Sequence, residues 1–227
     1  MTATPRLRLA VFDCDGTLVD SQHTIVAAMA AAWRACGLAP PEARAVRRII
    51  GLPLTLAIAR LLPEGEPEDF KRLARRYKAA FSELRQRPDH EEPLYPGATE
   101  ALDALKRRGY LLGIATGKSR RGLAATLERH ALAGRFATLQ TGDDGPGKPD
   151  PEMLLRAMAE TGAGADDTVM IGDTSFDMLM ARSAGAVAIG VSWGYHDPGE
   201  LVDTGAQLVI ESFEELPSVL DALDEGQ

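Results

Sequence analysis

Residues 9–12, Leu-Ala-Val-Phe, form a short apolar run that stops abruptly at Asp13-Cys14-Asp15-Gly16-Thr17. A continuously apolar run of this length fits a strand buried on both faces of a parallel sheet. Such a sheet gathers its ligands outside the carboxyl ends of its strands. If the strand continued, Asp13 and Asp15 would point to opposite faces. Gly16 predicts a turn instead, so that both acids face one pocket. Two carboxylates in one site resist ionising together, and a bound cation is the usual resolution. The simpler alternative is an Asp-Gly turn in which Asp15 only caps a helix.

The rest of the chain supports a parallel sheet. From Pro96 onward, strands and helices alternate: strands are predicted at 110–115, 136–140, 168–171, 186–191 and 208–210. Helices are predicted between them, at 97–108, 122–130, 152–161 and 177–184, with a last one at 213–223. This is the pattern of a parallel α/β sheet with helices on both sides. Residues 21–88 show no strand. Helices are predicted there at 24–36, with Ser21 as a cap, and at 42–50 and 54–62. A further helix places Phe70, Leu73, Ala74, Tyr77, Phe81 and Leu84 on one face, and its Lys/Arg run 71–78 reads as a solvated face.

Charge separates the same two parts. Residues 21–93 carry 12 Lys and Arg against 9 Asp and Glu, whereas the remainder holds 13 against 24. A basic helical insert on an acidic body suits an anionic ligand. The overall net charge of −8 argues against a nucleic-acid partner. The longest apolar stretch, 25–33, is too short to span a bilayer. Asp13 and Asp15 sit where a signal peptide would need apolar residues, and Cys14 and Cys36 make no disulfide framework. A cytoplasmic protein without a membrane partner is expected, as monomer or homodimer.

Three of the apolar strands end in polar residues: Asp13 and Asp15, then Thr116, then Asp173 with Asp177. Lys148, in the loop 145–151, is placed to join them. Each has a plain alternative: Thr116 as a turn cap, Lys148 as a loop lysine, Asp173 and Asp177 as acids at a helix start. As a set, Asp13-Cys14-Asp15-Gly16-Thr17, Thr116, Lys148 and Gly172-Asp173 with Asp177 resemble the four motifs of the haloacid-dehalogenase superfamily, in its phosphatase branch. The stretches Gly51-Leu52-Pro53-Leu54, Ala115-Thr116-Gly117-Lys118-Ser119 and Ile171-Gly172-Asp173-Thr174 are most similar to phosphoglycolate-phosphatase-like members.

The resemblance implies a Rossmann-like α/β core, residues 1–20 and 92–227, with an all-α cap domain at 21–91. It implies a Mg²⁺-dependent phosphatase acting on a small phosphorylated metabolite. Asp13 is then the nucleophile, forming an aspartyl-phosphate, and Asp15 the acid and then base, its pKa raised by neighbouring acids. Thr116, Gly117 and Lys148 would bind phosphate. The Asp13 side chain, the Asp15 carbonyl and Asp173 would hold the metal, with Asp177 holding metal waters or orienting Lys148. Charge requires such an ion: like charges at ~4 Å repel by about 4 kcal/mol at an effective dielectric near 20, and one lysine faces four acids and a phosphate. Oxygen ligands suit Mg²⁺, whereas zinc spacing is absent. Arg47, Arg48 and Gly51 are the expected substrate-specifying residues of the cap. A sugar-phosphate mutase and an aspartate-phosphorylated signalling receiver are the rival functions. Cys14 is expected to pack behind the nucleophile, and Trp193-Gly194-Tyr195-His196 to pack at the site's edge.

Overall fold

The computed structural model describes residues 7–225; Arg6, expected to open the first strand, and the outermost termini of the expected core lie outside that span. Six strands, β1 (Arg8–Phe12), β2 (Tyr110–Ala115), β3 (Thr138–Gln140), β4 (Thr168–Gly172), β5 (Val187–Val191) and β6 (Leu208–Ile210), form one sheet. Their order is β3-β2-β1-β4-β5-β6, and every pairing is parallel. The motif-bearing β1 therefore lies inside the sheet, between β2 and β4, which carry the other polar ends.

Alternation along β1 divides the core into two layers, as the twofold period of a strand requires. Ala10 and Phe12 join a cluster with α5 (Ala98–Arg107), α6 (Arg120–Arg129) and α10 (Leu216–Glu225) through Leu102, Leu105, Leu123, Leu127 and Leu220. Leu9 and Val11 face the opposite layer, which contains α7 (Glu152–Thr161), α8 (Ser175–Ala184) and α9 (Pro198–Thr204). The α/β sandwich expected from the alternation is the fold observed.

Residues 22–85 are wholly helical in their regular elements: α1 (Gln22–Ala35), α2 (Ala43–Arg47), α3 (Leu54–Leu61) and α4 (Pro67–Arg85). They bury their own apolar cluster, with Ile25, Met29 and Trp33 of α1, Val46 of α2, Ile58 of α3 and Leu73 of α4, and Phe176 of α8 completes it. Two adjacent backbone stubs join this layer to the sheet. Val19 bridges Leu94, Asp20 N donates to Pro93 O at 2.9 Å, and Tyr95 N donates to Leu18 O at 3.0 Å.

Differences from expectation are local. Ser21 stands at the N-cap of α1, but its hydroxyl donates to Asp15 Oδ1 at 2.6 Å rather than capping the helix. α8 starts at Ser175, two residues early, because Thr174 and Asp177 form a reciprocal capping box. The short α9 was not expected: Asp197 caps it through the Gly199 amide and Pro198 takes its first position, in a stretch that reads as a loop.

Candidate active site

The chain leaves β1 through a sharp turn. Gly16 has φ +95°, and a Cβ there would stand 2.3 Å from Asp173 Oδ2, so only glycine fits. Asp13 is fully buried. Its Oδ1 accepts from the Cys14 amide at 2.6 Å and forms an ion pair with Lys148 Nζ at 2.8 Å. Lys148 also reaches Asp177 Oδ1 at 2.7 Å. Asp177 in turn accepts from the Thr174 amide and hydroxyl through its Oδ2. Asp177 thus bridges the Thr174 cap and Lys148.

Asp173 is held by two donors. The Thr17 hydroxyl donates to its Oδ1 at 2.9 Å, and the Tyr195 amide to its Oδ2 at 2.9 Å. The segment 193–196 therefore does more than pack at the edge: its backbone fixes a site carboxylate, and Trp193 Nε1 ties it to Thr17 O at 3.1 Å. Asp15, two residues after Asp13, faces a different set. Its Oδ1 accepts from Lys118 Nζ and from the Ser21 hydroxyl, each at 2.6 Å. The direct partners of Asp15 are a cation and a hydroxyl, where acidic neighbours were expected. Cys14 lies in the core behind Asp13 as anticipated, and burial, then Asp15, pushes its thiol well up, which leaves it inert.

Carboxylate oxygens of Asp13, Asp173 and Asp177 all lie within 4.8 Å of one another. Burial lifts Asp13 to about 7; Lys148 opposes this, and Asp177 and Asp15 add to it. Burial, then Asp13 and Asp177, raises Asp173 as well. Burial alone would discharge Lys148, but the carboxylates of Asp13 and Asp177 hold its ammonium above the ordinary range. Asp13 Oδ2 is buried without a hydrogen-bond partner among the described residues. An orphaned carboxylate oxygen inside an all-oxygen acidic cluster fits a hard divalent cation such as Mg²⁺. Magnesium chloride is expected to raise Tm relative to EDTA. At a hundredfold excess over Kd the gain is about 2.7 kcal/mol, or roughly 5 to 10 °C for a chain of this size. Differential scanning calorimetry in the two buffers reads it.

The site has relatives. A family model described as haloacid dehalogenase-like hydrolase matches residues 10–191, which spans every residue of the cluster. The chain belongs to that family. The hydrolase is 39% identical over 217 residues to the probable phosphatase IndB of Dickeya dadantii, covering 95% of this chain and 94% of that protein. It is 32% identical over 234 residues to a phosphoglycolate phosphatase of Agrobacterium fabrum, covering 96% and 97%. Its fold matches the crystal structure of a hydrolase from Pseudomonas syringae with a TM-score of 0.82 at 33% identity, over 95% and 98% of the two chains. The phosphoglycolate-phosphatase-like resemblance read from the motifs is thereby borne out, as is an enzyme of the hydrolase class.

In this hydrolase Asp13, Asp15, Thr116, Gly117 and Gly51 border one cavity of ≈ 630 Å³, while Lys148, Asp173 and Asp177 lie fully buried and are not part of its wall. Gly117 brings the helical layer close: a Cβ there would stand 2.6 Å from Gly51 O and 2.9 Å from Leu52 O. Arg47 and Arg48 do not reach the cavity, a correction to the expectation from sequence. Val46 and Ile50 turn inward and are buried, so the two arginines face away. Arg47 Nε donates to Gln22 Oε1 at 2.9 Å, and Arg48 pairs with Glu200 of α9.

The basic wall comes instead from α4, α6 and the loop before α6: Lys78, Arg85, Lys118, Arg121 and Arg129. Lys118 is the main site residue the sequence reading left without a role. It lies in the quoted stretch 115–119, but a loop lysine carries no signal of its partner 103 residues away. Glu92 was also missed. It is buried beside Arg85 Nε and His90 Nε2, each at 3.2 Å.

No helix among the described residues is long and apolar enough to cross a membrane.

Proposed function

We propose that this hydrolase is a Mg²⁺-dependent phosphatase that frees inorganic phosphate from a small phosphorylated metabolite, with phosphoglycolate as the reference monoester. One observation carries the reading: two carboxylates two residues apart are held by separate lysines, Asp13 by Lys148 and Asp15 by Lys118. Separate partners suit separate jobs. Asp13, with one oxygen unpartnered, attacks phosphorus, and the bond from phosphorus to the alcohol oxygen breaks. Asp15 gives its proton to that departing oxygen. It then takes a proton from the water that attacks the aspartyl-phosphate, so Asp13 is regenerated and phosphate leaves.

The Thr116 hydroxyl, the Gly117 amide and Lys148 bind the phosphoryl oxygens during both steps. Positioning and charge neutralisation supply most of the rate in such transfers. When bound by the Asp13 carboxylate, the Asp15 carbonyl and Asp173, Mg²⁺ would neutralise charge that Lys148 alone cannot. Residues 21–91 act as a cap over the core formed by 1–20 and 92–227. Gly51 sits against Gly117, so this layer excludes water from the phosphoryl end. The full-length likeness to a phosphoglycolate phosphatase supports the same reading.

A sugar-phosphate mutase would share the aspartyl-phosphate but return the phosphoryl group to substrate. A panel of phosphorylated metabolites, including phosphoglycolate and a hexose phosphate, assayed with Mg²⁺ for free phosphate and for isomerised ester, separates the two. Phosphate release is expected. Isomerised ester without phosphate would overturn hydrolysis.

A further inference from the structure

The cavity is much larger than the reaction at its inner end requires. Its ≈ 630 Å³ lies within the range that holds drug-sized ligands, about 300–1,000 Å³. A phosphoryl group and the two-carbon alcohol of phosphoglycolate would leave most of it wet. The inner end is polar, with Asp13, Asp15, Thr116 and Gly117. The helical layer supplies a different surface: Ile25 and Met29 from α1, Ile50 and Leu52 from the turn after α2, and Tyr77 and Phe81 from α4.

The apolar wall begins where the leaving oxygen must sit. Lys118 Nζ is 2.6 Å from Asp15 Oδ1 and 5.3 Å from the centroid of the Phe81 ring. The Tyr77 ring continues the wall, its centroid 5.7 Å from that of Phe81. An alcohol that takes its proton from Asp15 therefore leads away along these two rings. Three of the five cations that border the cavity are already engaged. Lys118 is paired with Asp15, Arg85 with Glu92, and Arg129 with the carbonyls of Arg85 and His90. At the inner end a carboxylate two carbons from phosphorus would compete with Asp15 for Lys118, while Lys78 and Arg121 border the cavity beyond it.

We propose that the preferred substrates are phosphomonoesters of alcohols with a ring-sized apolar body, seated on Tyr77 and Phe81, ahead of phosphoglycolate. This rests on the reading of the protein as a phosphatase. Burial of apolar surface is non-directional and scales with area, so an apolar alcohol gains from this wall and a small acidic one does not.

Two esters with alcohols of similar acidity isolate the wall from the chemistry: 2-phenylethyl phosphate and ethyl phosphate, with phosphoglycolate as a third. In the wild-type enzyme with Mg²⁺, kcat/KM for the phenylethyl ester is expected to exceed both others by about tenfold or more, the scale on which apolar pockets discriminate. Phe81→Ala is expected to bring the ratio of phenylethyl to ethyl ester toward one. A wild-type ratio of one or less, or a preference for phosphoglycolate, overturns the proposal. Calorimetric binding of both esters to Asp13→Asn with magnesium chloride reads the wall without turnover. Tighter binding of the phenylethyl ester there upholds the wall even if no ester is hydrolysed, the result that would sink the phosphatase reading alone. Equal binding overturns the wall.

Discussion

Asp13→Asn is expected to lower phosphate release by a factor on the order of 10⁴ or more, the scale seen when a nucleophile is removed, while leaving the protein folded. The second half of that expectation follows from burial. Asp13 is fully buried and pushed up to about 7, first by desolvation. In EDTA, the folded state therefore holds a proton on Asp13 that the unfolded chain has lost. Stability falls as pH rises from the unfolded value near 3.8 toward 7. Asparagine removes that contribution. The variant should match or exceed the wild-type Tm in EDTA at pH 7, and its pH profile should be flatter across this window. Asp173, raised for the same reason, keeps part of the slope. Malachite-green phosphate assays and calorimetric scans from pH 4 to 8 measure both halves. Undiminished turnover would remove Asp13 as nucleophile; collapse of the fold would contradict the account of its burial.

Lys148 should be the costliest substitution for stability. It is 0% exposed and lies 2.8 Å from Asp13 and 2.7 Å from Asp177. Removing one partner of a buried ion pair typically costs about 3–5 kcal/mol, because the remaining charge has lost its counterion. Lys148→Ala is expected to lose that much, on the order of 10 °C in Tm, together with nearly all phosphate release. Magnesium chloride should restore part of the lost stability, since an ion on Asp13 opposes the same excess of negative charge. Lys148→Met keeps most of the side-chain volume and separates charge from packing. A methionine variant as stable as wild type in EDTA would show that the ammonium contributes nothing to holding the acids together.

The extent to which this site could be read from sequence differs residue by residue. Asp13, Asp15, Thr116 and Asp173, with Asp177 four residues on, were legible because they follow strongly apolar strands whose ends converge in a parallel sheet, and Lys148 was legible as the lysine of the glycine- and proline-rich loop 145–151. The sheet itself was legible for the same reason: residues 9–12, 110–115 and 168–171 are apolar without helical spacing. Tyr195 was not legible in its actual role, since its backbone amide holds Asp173 and any non-proline residue has one. Lys118 was hidden by distance along the chain. Arg47 and Arg48 misled because charge near a glycine turn says nothing about which way a short helix faces; Val46 and Ile50 decide that by burying themselves. The cavity wall on α4 was half visible. Tyr77 and Phe81 stood on the expected apolar stripe, but the sequence could not distinguish a stripe that only packs from one that also borders a cavity.

The paired stubs at Val19 and Leu94 have a consequence for how the protein reaches this state. β1 must find β2, aligning Arg8 with Tyr110, across the whole helical layer. Loop-closure entropy grows only logarithmically, about 0.6 kcal/mol for each doubling of length, so the detour adds little to the equilibrium cost. Its burden falls on rate, because pairings distant in sequence slow the search. Once Asp20 and Pro93 are bonded, the long excursion behaves as a closed loop with a short neck. The central strands can then register as though the intervening helices were absent.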